Sequence, residues 1–162
     1  MRLIDYFDRG LHRNPQSLCL TAGHRQLSFV QTSVLTHKIG NGLIAHNMKP
    51  EMVGAVLSPN DIDAFTCILG ILRAGMAWMP INARNSLDDN IYILDSNRCA
   101  WLFYHSSFAN DIAIIKQKNT HIKGFVCVDC ANGEDPLLAD WLSAYADQCP
   151  YITLDPNQLA SI

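Results

Sequence analysis

Two cysteines with two residues between them, Cys127 and Cys130 in "CVDC", have a spacing that suits half of a zinc site or a thiol redox pair. Both chemistries need the two sulfurs on one side of the chain. The surrounding "GFVCVDC" alternates like a strand, which sends residues three apart to opposite faces, and the pair can act together only if the chain turns there. No second CxxC accompanies it, and neither a metal nor redox chemistry is expected of these residues. The other cysteines, Cys19, Cys67, Cys99 and Cys149, are scattered, and several stand in apolar runs where a small hydrophobe serves equally well. They read as free, buried thiols of a reducing compartment. Six histidines, His12, His24, His37, His46, His105 and His121, offer imidazole bases, but none stands beside a serine or cysteine in a recognisable nucleophile motif. They are assigned to the surface and to helix faces. No GxxxxGKS or GxxxxGKT string occurs, and Gly40 and Gly42 fall inside a helical pattern that cannot cradle a phosphate. No catalytic residue and no metal ligand is therefore named.

The composition narrows the partners. Twelve Lys and Arg against 15 Asp and Glu give a net charge of -3 without a run of like charges, which argues against a nucleic-acid surface. The first residues, "MRLIDYFDRG", carry Asp5 and Asp8 and no long apolar stretch, so they read as neither signal nor transit peptide, and a cytoplasmic setting is the expectation. With 162 residues, 49% of them hydrophobic, the chain can bury the core of one domain.

The elements follow from periodicity. Leu3, Tyr6, Phe7 and Leu11 recur at helical spacing ahead of Pro15. "LCLTAGHRQLSF" reads as a hairpin with Gly23 in its turn. Ser28 with Gln31 three residues on has the form of a capping box, opening a helix that buries Leu35, Ile39 and Leu43 and ends near Asn47. Beyond residue 50 a regular alternation sets in. "VGAVL", "MAWMP", "AWLFY" and "GFVCV" are short apolar strands, and the segments between them start at Asn60, at Ser86 with Asp89, and at Ser107 as helix caps. A further helix is expected over 136–146, capped by Asp135 with Pro136 at its first position. Such alternation predicts an α/β fold, a mostly parallel sheet with helices on both faces. Residues 1–162 form one domain on this reading: a helix, hairpin and helix over 1–50, strand–helix units over 51–130, then a helix and a connecting segment over 131–162.

The stretch "ILRAGMAWMPINAR" at 71–84 is nearly apolar, and the segment 64–81 approaches a membrane span in length. Arg73 would sit in lipid at a cost of about 2.5–3.5 kcal/mol, and Gly75 and Pro80 interrupt the run. A soluble reading is simpler: a buried helix with Arg73 in its last turn, stopped by Gly75, then a strand. Trp78, Trp101, Phe103 and Tyr104 fall in strands and read as core, and Trp141 and Tyr145, four apart on one helix face, read as packing.

That same stretch, followed by "SLDDNIYILDSNRCAWLFY", resembles the N-terminal region of the adenylate-forming, AMP-binding enzymes, in particular the acyl- and aryl-CoA synthetases. Upstream, "LSFVQTSVLTHKIGNGLIAHNMKPEMVGAVLSPN" is similar to the family's helix, turn and next strand, and downstream "ITLDPNQLASI" resembles the segment that leads to its phosphate-binding loop. The match is weakest over about 112–151. One departure is the turn "NMKPEM", where Asn47, Glu51 and Met52 replace the usual glycines and glycine–aspartate pair; Asn47 tolerates the backbone geometry a glycine would take.

The resemblance implies a two-step ligase that uses ATP, Mg²⁺ and coenzyme A with a carboxylic-acid substrate. It also implies motifs not present in these residues: a Ser/Thr/Gly-rich loop ending in lysine, a ribose-binding aspartate and an adenylating lysine. The chain thus reads as an N-terminal fragment, inactive alone and completed by the remainder of its own chain, with no cofactor expected on the fragment itself. One position carries over, Arg84, which matches an arginine near the nucleotide phosphate of CoA in some CoA ligases; a guanidinium fork suits phosphate oxygens. The competing role for Arg84 is an ion pair with Asp88 or Asp89. Two other readings stand beside the CoA ligase: an adenylation domain of a peptide-synthesising assembly line, whose matching string usually carries smaller residues than Met76 and Trp78, and a non-catalytic α/β binding module.

Overall fold

The computed structural model describes residues 2–153, 155 and 157–162; Leu154 and Pro156 of the predicted connecting segment, and Met1, lie outside the described residues. The chain opens with α1 (Leu3–Arg13), then a hairpin of β1 (Leu18–Ala22) and β2 (Arg25–Ser28), then α2 (Phe29–Ala45). The capping box is formed: Ser28 Oγ accepts from the Gln31 amide at 3.3 Å and the Gln31 side chain accepts from the Ser28 amide at 2.9 Å. Helix α2 buries Ile39 and Leu43 completely and Leu35 in part, and the chain leaves it through Asn47 at φ 61°.

Four parallel strands follow, β3 (Val53–Leu57), β4 (Ala77–Pro80), β5 (Cys99–Tyr104) and β6 (Gly124–Cys127), in the order β4-β3-β5-β6. They alternate with α3 (Ile62–Arg73), α4 (Leu87–Ser96) and α5 (Ala109–Lys118), and α6 (Leu138–Leu142) comes last. Successive side chains of a strand face opposite ways, which divides the core in two. Val56, Trp101, Phe103 and Val126 meet α2, α3 and α6, while Ala55, Leu57, Met79, Leu102 and Tyr104 meet α4 and α5. Burial on both faces is why these strands read as continuous apolar runs. Past α6, residues 160–162 lie parallel to β4, with the Trp78 amide donating to the Ala160 carbonyl at 2.9 Å and the Ile162 amide donating to the Trp78 carbonyl at 3.2 Å.

Three helix starts differ from expectation. Asp61, not Asn60, caps α3, its Oδ1 accepting from the Asp63 amide at 2.7 Å. The segment after β5 begins with a 3-10 turn, Ser106–Phe108, capped by His105, so Ser107 does not cap α5. The helix expected over 136–146 spans only Leu138–Leu142, because Asp135 is drawn away: Tyr104 donates to its Oδ2 at 2.7 Å and Lys116 to its Oδ1 at 2.6 Å. Pro136 stays extended, its carbonyl accepting from the Cys127 amide at 3.0 Å. Tyr145 accordingly lies beyond α6, though its ring still packs on Trp141 at 5.0 Å. Among the described residues no helix is long and apolar enough to cross a membrane.

Candidate functional site

In open α/β sheets ligands bind outside the carboxyl ends of the strands, where neighbouring strands send their connections to opposite faces. Here the connections part on either side of β3, which leads into α3 on one face while its neighbours β4 and β5 lead into α4 and α5 on the opposite face. Two of the loops at this end are residues 58–61 after β3 and residues 81–86 after β4. Between them lies an open cavity of about 430 Å³ lined by Ser58, Pro59, Asn60, Ile81, Asn82, Ala83 and Arg84. A neighbouring cavity of about 240 Å³ runs along Val56, Asp61, Phe65, Trp78 and Pro80.

The sequence builds the β4 loop from local rules. Pro80 ends the strand, where its missing amide costs no ladder bond. Asn82 Oδ1 then accepts from the Arg84 amide at 2.9 Å, an Asx turn that reverses the chain. Ser86 caps α4, accepting from the Asp89 amide at 3.2 Å and donating to Asp89 Oδ2 at 2.7 Å. The Asp89 carboxylate is thereby held by Ser86, and Arg84 forms no ion pair with Asp88, Asp89 or any other acid among the described residues. Among the described residues its exposed side chain is the only charged one lining the larger cavity. The Asp61 carboxylate in the neighbouring cavity is spent on the start of α3. A lone guanidinium with Asn60 and Asn82 beside it is a donor set for an anion, and phosphate fits it. Asn60 and Ser58 were not singled out from the sequence as site residues, since a turn polar residue carries no signal of the loop that will face it.

A second cluster stands at the ends of β5 and β6. The strand stops at Cys127, and the chain turns where alternation had been expected to continue. This turn brings Cys127, Asp129 and Cys130 together, their ligand atoms all within 4.8 Å of one another. Burial pushes the Cys127 thiol up to about 11 even though the amides of Asp129 and Cys130 donate to its sulfur. Burial also works against charge at Asp129, but hydrogen bonds from the Ser106 hydroxyl and amide outweigh it and hold this carboxyl below the usual range. Two thiols and one carboxylate do not suit Mg²⁺, which takes oxygen ligands, and this is the one group of three metal-ligating side chains among the described residues.

The remaining histidines and cysteines are placed individually. His37 sits 2.8 Å from the Asp147 carbonyl and His12 2.7 Å from that of Asp8. His46 is exposed at the end of α2, as the surface assignment expects, and is held there by its neighbours: Trp141 Nε1 donates to its Nε2 at 3.3 Å and its ring lies 5.0 Å from that of Trp101. His105 does neighbour a serine, its Nδ1 lying 2.8 Å from Ser107 Oγ. All six cysteines are free, yet Cys130 and Cys149 are exposed rather than buried.

A family model described as AMP-binding enzyme matches residues 7–162. Among curated proteins, surfactin synthase subunit 3 of Bacillus subtilis is 24% identical over 162 residues, 99% of this chain and 12% of that protein. Phosphinothricin tripeptide synthetase PhsB of Streptomyces viridochromogenes is 28% identical over 101 residues, 61% of this chain and 8% of that protein. Among solved structures, the anthranilate CoA ligase AuaEII superimposes with a TM-score of 0.91 at 20% identity, over 99% of this chain and 30% of that one. The N-terminal domain of FACL13 from Mycobacterium tuberculosis does so with a TM-score of 0.87 at 18% identity, over 100% of this chain and 41% of that one. At these identities the structures show a shared fold, and this chain spans only a minor part of each relative.

Proposed function

This chain belongs to the AMP-binding enzyme family, and from that premise we propose that it forms the N-terminal part of an ATP-dependent acid–CoA ligase. In the proposed reaction a carboxylate attacks the α-phosphate of ATP, releasing pyrophosphate, and the thiol of coenzyme A then displaces AMP from the acyl-adenylate. Mg²⁺, bound with ATP, supplies neutralisation of phosphoryl charge. These residues contribute the sheet and a phosphate contact for CoA from Arg84. The observation that carries the reading is the Arg84 guanidinium, without an acid partner among the described residues, in the cavity at the carboxyl end of the sheet. A guanidinium free of acid partners gives its full fork to an incoming phosphate.

A second reading, an adenylation domain of a peptide-synthesising assembly line, is supported by the peptide synthetases among the curated relatives, phosphinothricin tripeptide synthetase included. There a carrier-bound thiol takes the place of CoA. The experiment separates the readings by product. The isolated 162-residue chain is expected to give no acid-dependent exchange of pyrophosphate into ATP, whereas the chain joined to its downstream sequence exchanges pyrophosphate and, with CoA added, releases acyl-CoA. Exchange by the isolated chain would overturn the division of labour. Exchange by the longer protein without acyl-CoA would favour the assembly line, and no exchange by either would favour a non-catalytic module.

A further inference from the structure

We propose that the turn over residues 127–130 binds a soft divalent cation of the zinc class through Cys127, Cys130 and Asp129. The backbone is already shaped for it. With β6 ended at Cys127, the chain turns and brings both sulfurs and the Asp129 carboxylate to one side. Cys127 Sγ lies 3.3 Å from Asp129 Oδ1, and all three ligand atoms lie within 4.8 Å of one another. Tetrahedral zinc with sulfur at about 2.3 Å sets its sulfurs about 3.8 Å apart. The 4.8 Å bound on the ligand atoms is within about 1 Å of that spacing, and Cys130 is the exposed member of the pair while Cys127 is in the core.

The carboxylate is supported from behind in the manner of an oriented metal ligand. Ser106 donates to Asp129 from its amide at 2.8 Å and from its hydroxyl at 2.5 Å. His105 accepts from the Ser107 amide at Nδ1, at 3.1 Å, which leaves the proton on Nε2. That nitrogen lies 3.3 Å from Asp129 Oδ2, so His105 stands against the carboxylate without ligating the cation. Three protein ligands leave a fourth position for water. Binding replaces two thiol protons, released to solvent, with one cation. Two sulfurs and one oxygen select zinc or cobalt over magnesium and calcium. The bound ion would tie the loop after β6 to the loop after β5, at the same end of the sheet as Arg84.

The test uses the full chain, reduced and stripped with chelator, titrated with Co²⁺ and then Zn²⁺. Expected are one Co²⁺ per chain with thiolate-to-cobalt charge-transfer absorption, displacement by one equivalent of Zn²⁺, and a Zn²⁺-dependent rise in melting temperature. Cys130→Ser should weaken Co²⁺ binding by more than about 100-fold, beyond what loss of a supporting residue costs. Cys149→Ser, the other exposed thiol, should change nothing. As a measurement that needs no variant, Zn²⁺ should protect Cys130 from alkylation and leave Cys149 reactive. Absence of the charge-transfer band in reduced protein, an undiminished band in Cys130→Ser, or equal alkylation of Cys130 with and without Zn²⁺ would each overturn the site.

Discussion

Arg73 shows how a charge enters a core when a partner comes with it. Its side chain is 5% exposed, and it forms a forked pair with Asp8 of α1, NH2 to Oδ1 at 2.6 Å and NH1 to Oδ2 at 2.8 Å. From the sequence its favourable place in the last turn of α3 was legible, since that depends on neighbours three or four residues away. Asp8 as its partner was not, because the pair spans 65 residues. Removing one member leaves the other buried and uncompensated, so Asp8→Ala should destabilise the fold by about 3 kcal/mol. Urea unfolding should show a lower midpoint with an unchanged slope; a loss below about 0.5 kcal/mol, the range of an exposed pair, would mean that water reaches Arg73.

At the scale of elements, α2 and α3 approach closely because Gly70 faces Ile39. A Cβ at Gly70 would stand 2.2 Å from Ile39 Cγ2 and 2.4 Å from Ile39 Cβ. Gly70→Ala gains about 1 kcal/mol of helix propensity, but the clash involves a branched carbon that cannot swing away, and overpacking costs roughly 1–3 kcal/mol. The variant is expected to be less stable than the parent, and Ile39→Ala, though destabilising alone, should cost less in the Gly70→Ala background. Additive losses in that double-mutant cycle would show that the two helices do not meet there. Legibility at this scale follows the range of the interactions. The Ser28–Gln31 box, the Ser86 cap and the four apolar strands are encoded within a few residues and were readable. The shortening of α6 was hidden because Tyr104 and Lys116 claim Asp135 from across the fold. The turn at residues 127–130 was hidden likewise, since Ser106, 23 residues away, holds Asp129.

For the whole molecule, the parallel sheet explains why one arginine stands out. The loops at the carboxyl end are tied down by their own polar groups, Asp61 to α3, Ser86 to Asp89 and Asp129 to Ser106, whereas the Arg84 side chain has no acid partner among the described residues. The alternation of strands and helices announced this sheet in the sequence, and Arg84 entered through resemblance alone; the cavity beside it became visible only with the loop after β3 in place. The most direct test is Arg84→Ala in the complete enzyme, with CoA and dephospho-CoA compared. Loss of one exposed charge-assisted contact should raise KM for CoA about tenfold, leave adenylation unchanged because that half-reaction needs no CoA, and abolish the preference for CoA over dephospho-CoA. An Arg84→Ala enzyme that keeps this preference and instead melts at a lower temperature would contradict the account and make Arg84 a structural residue.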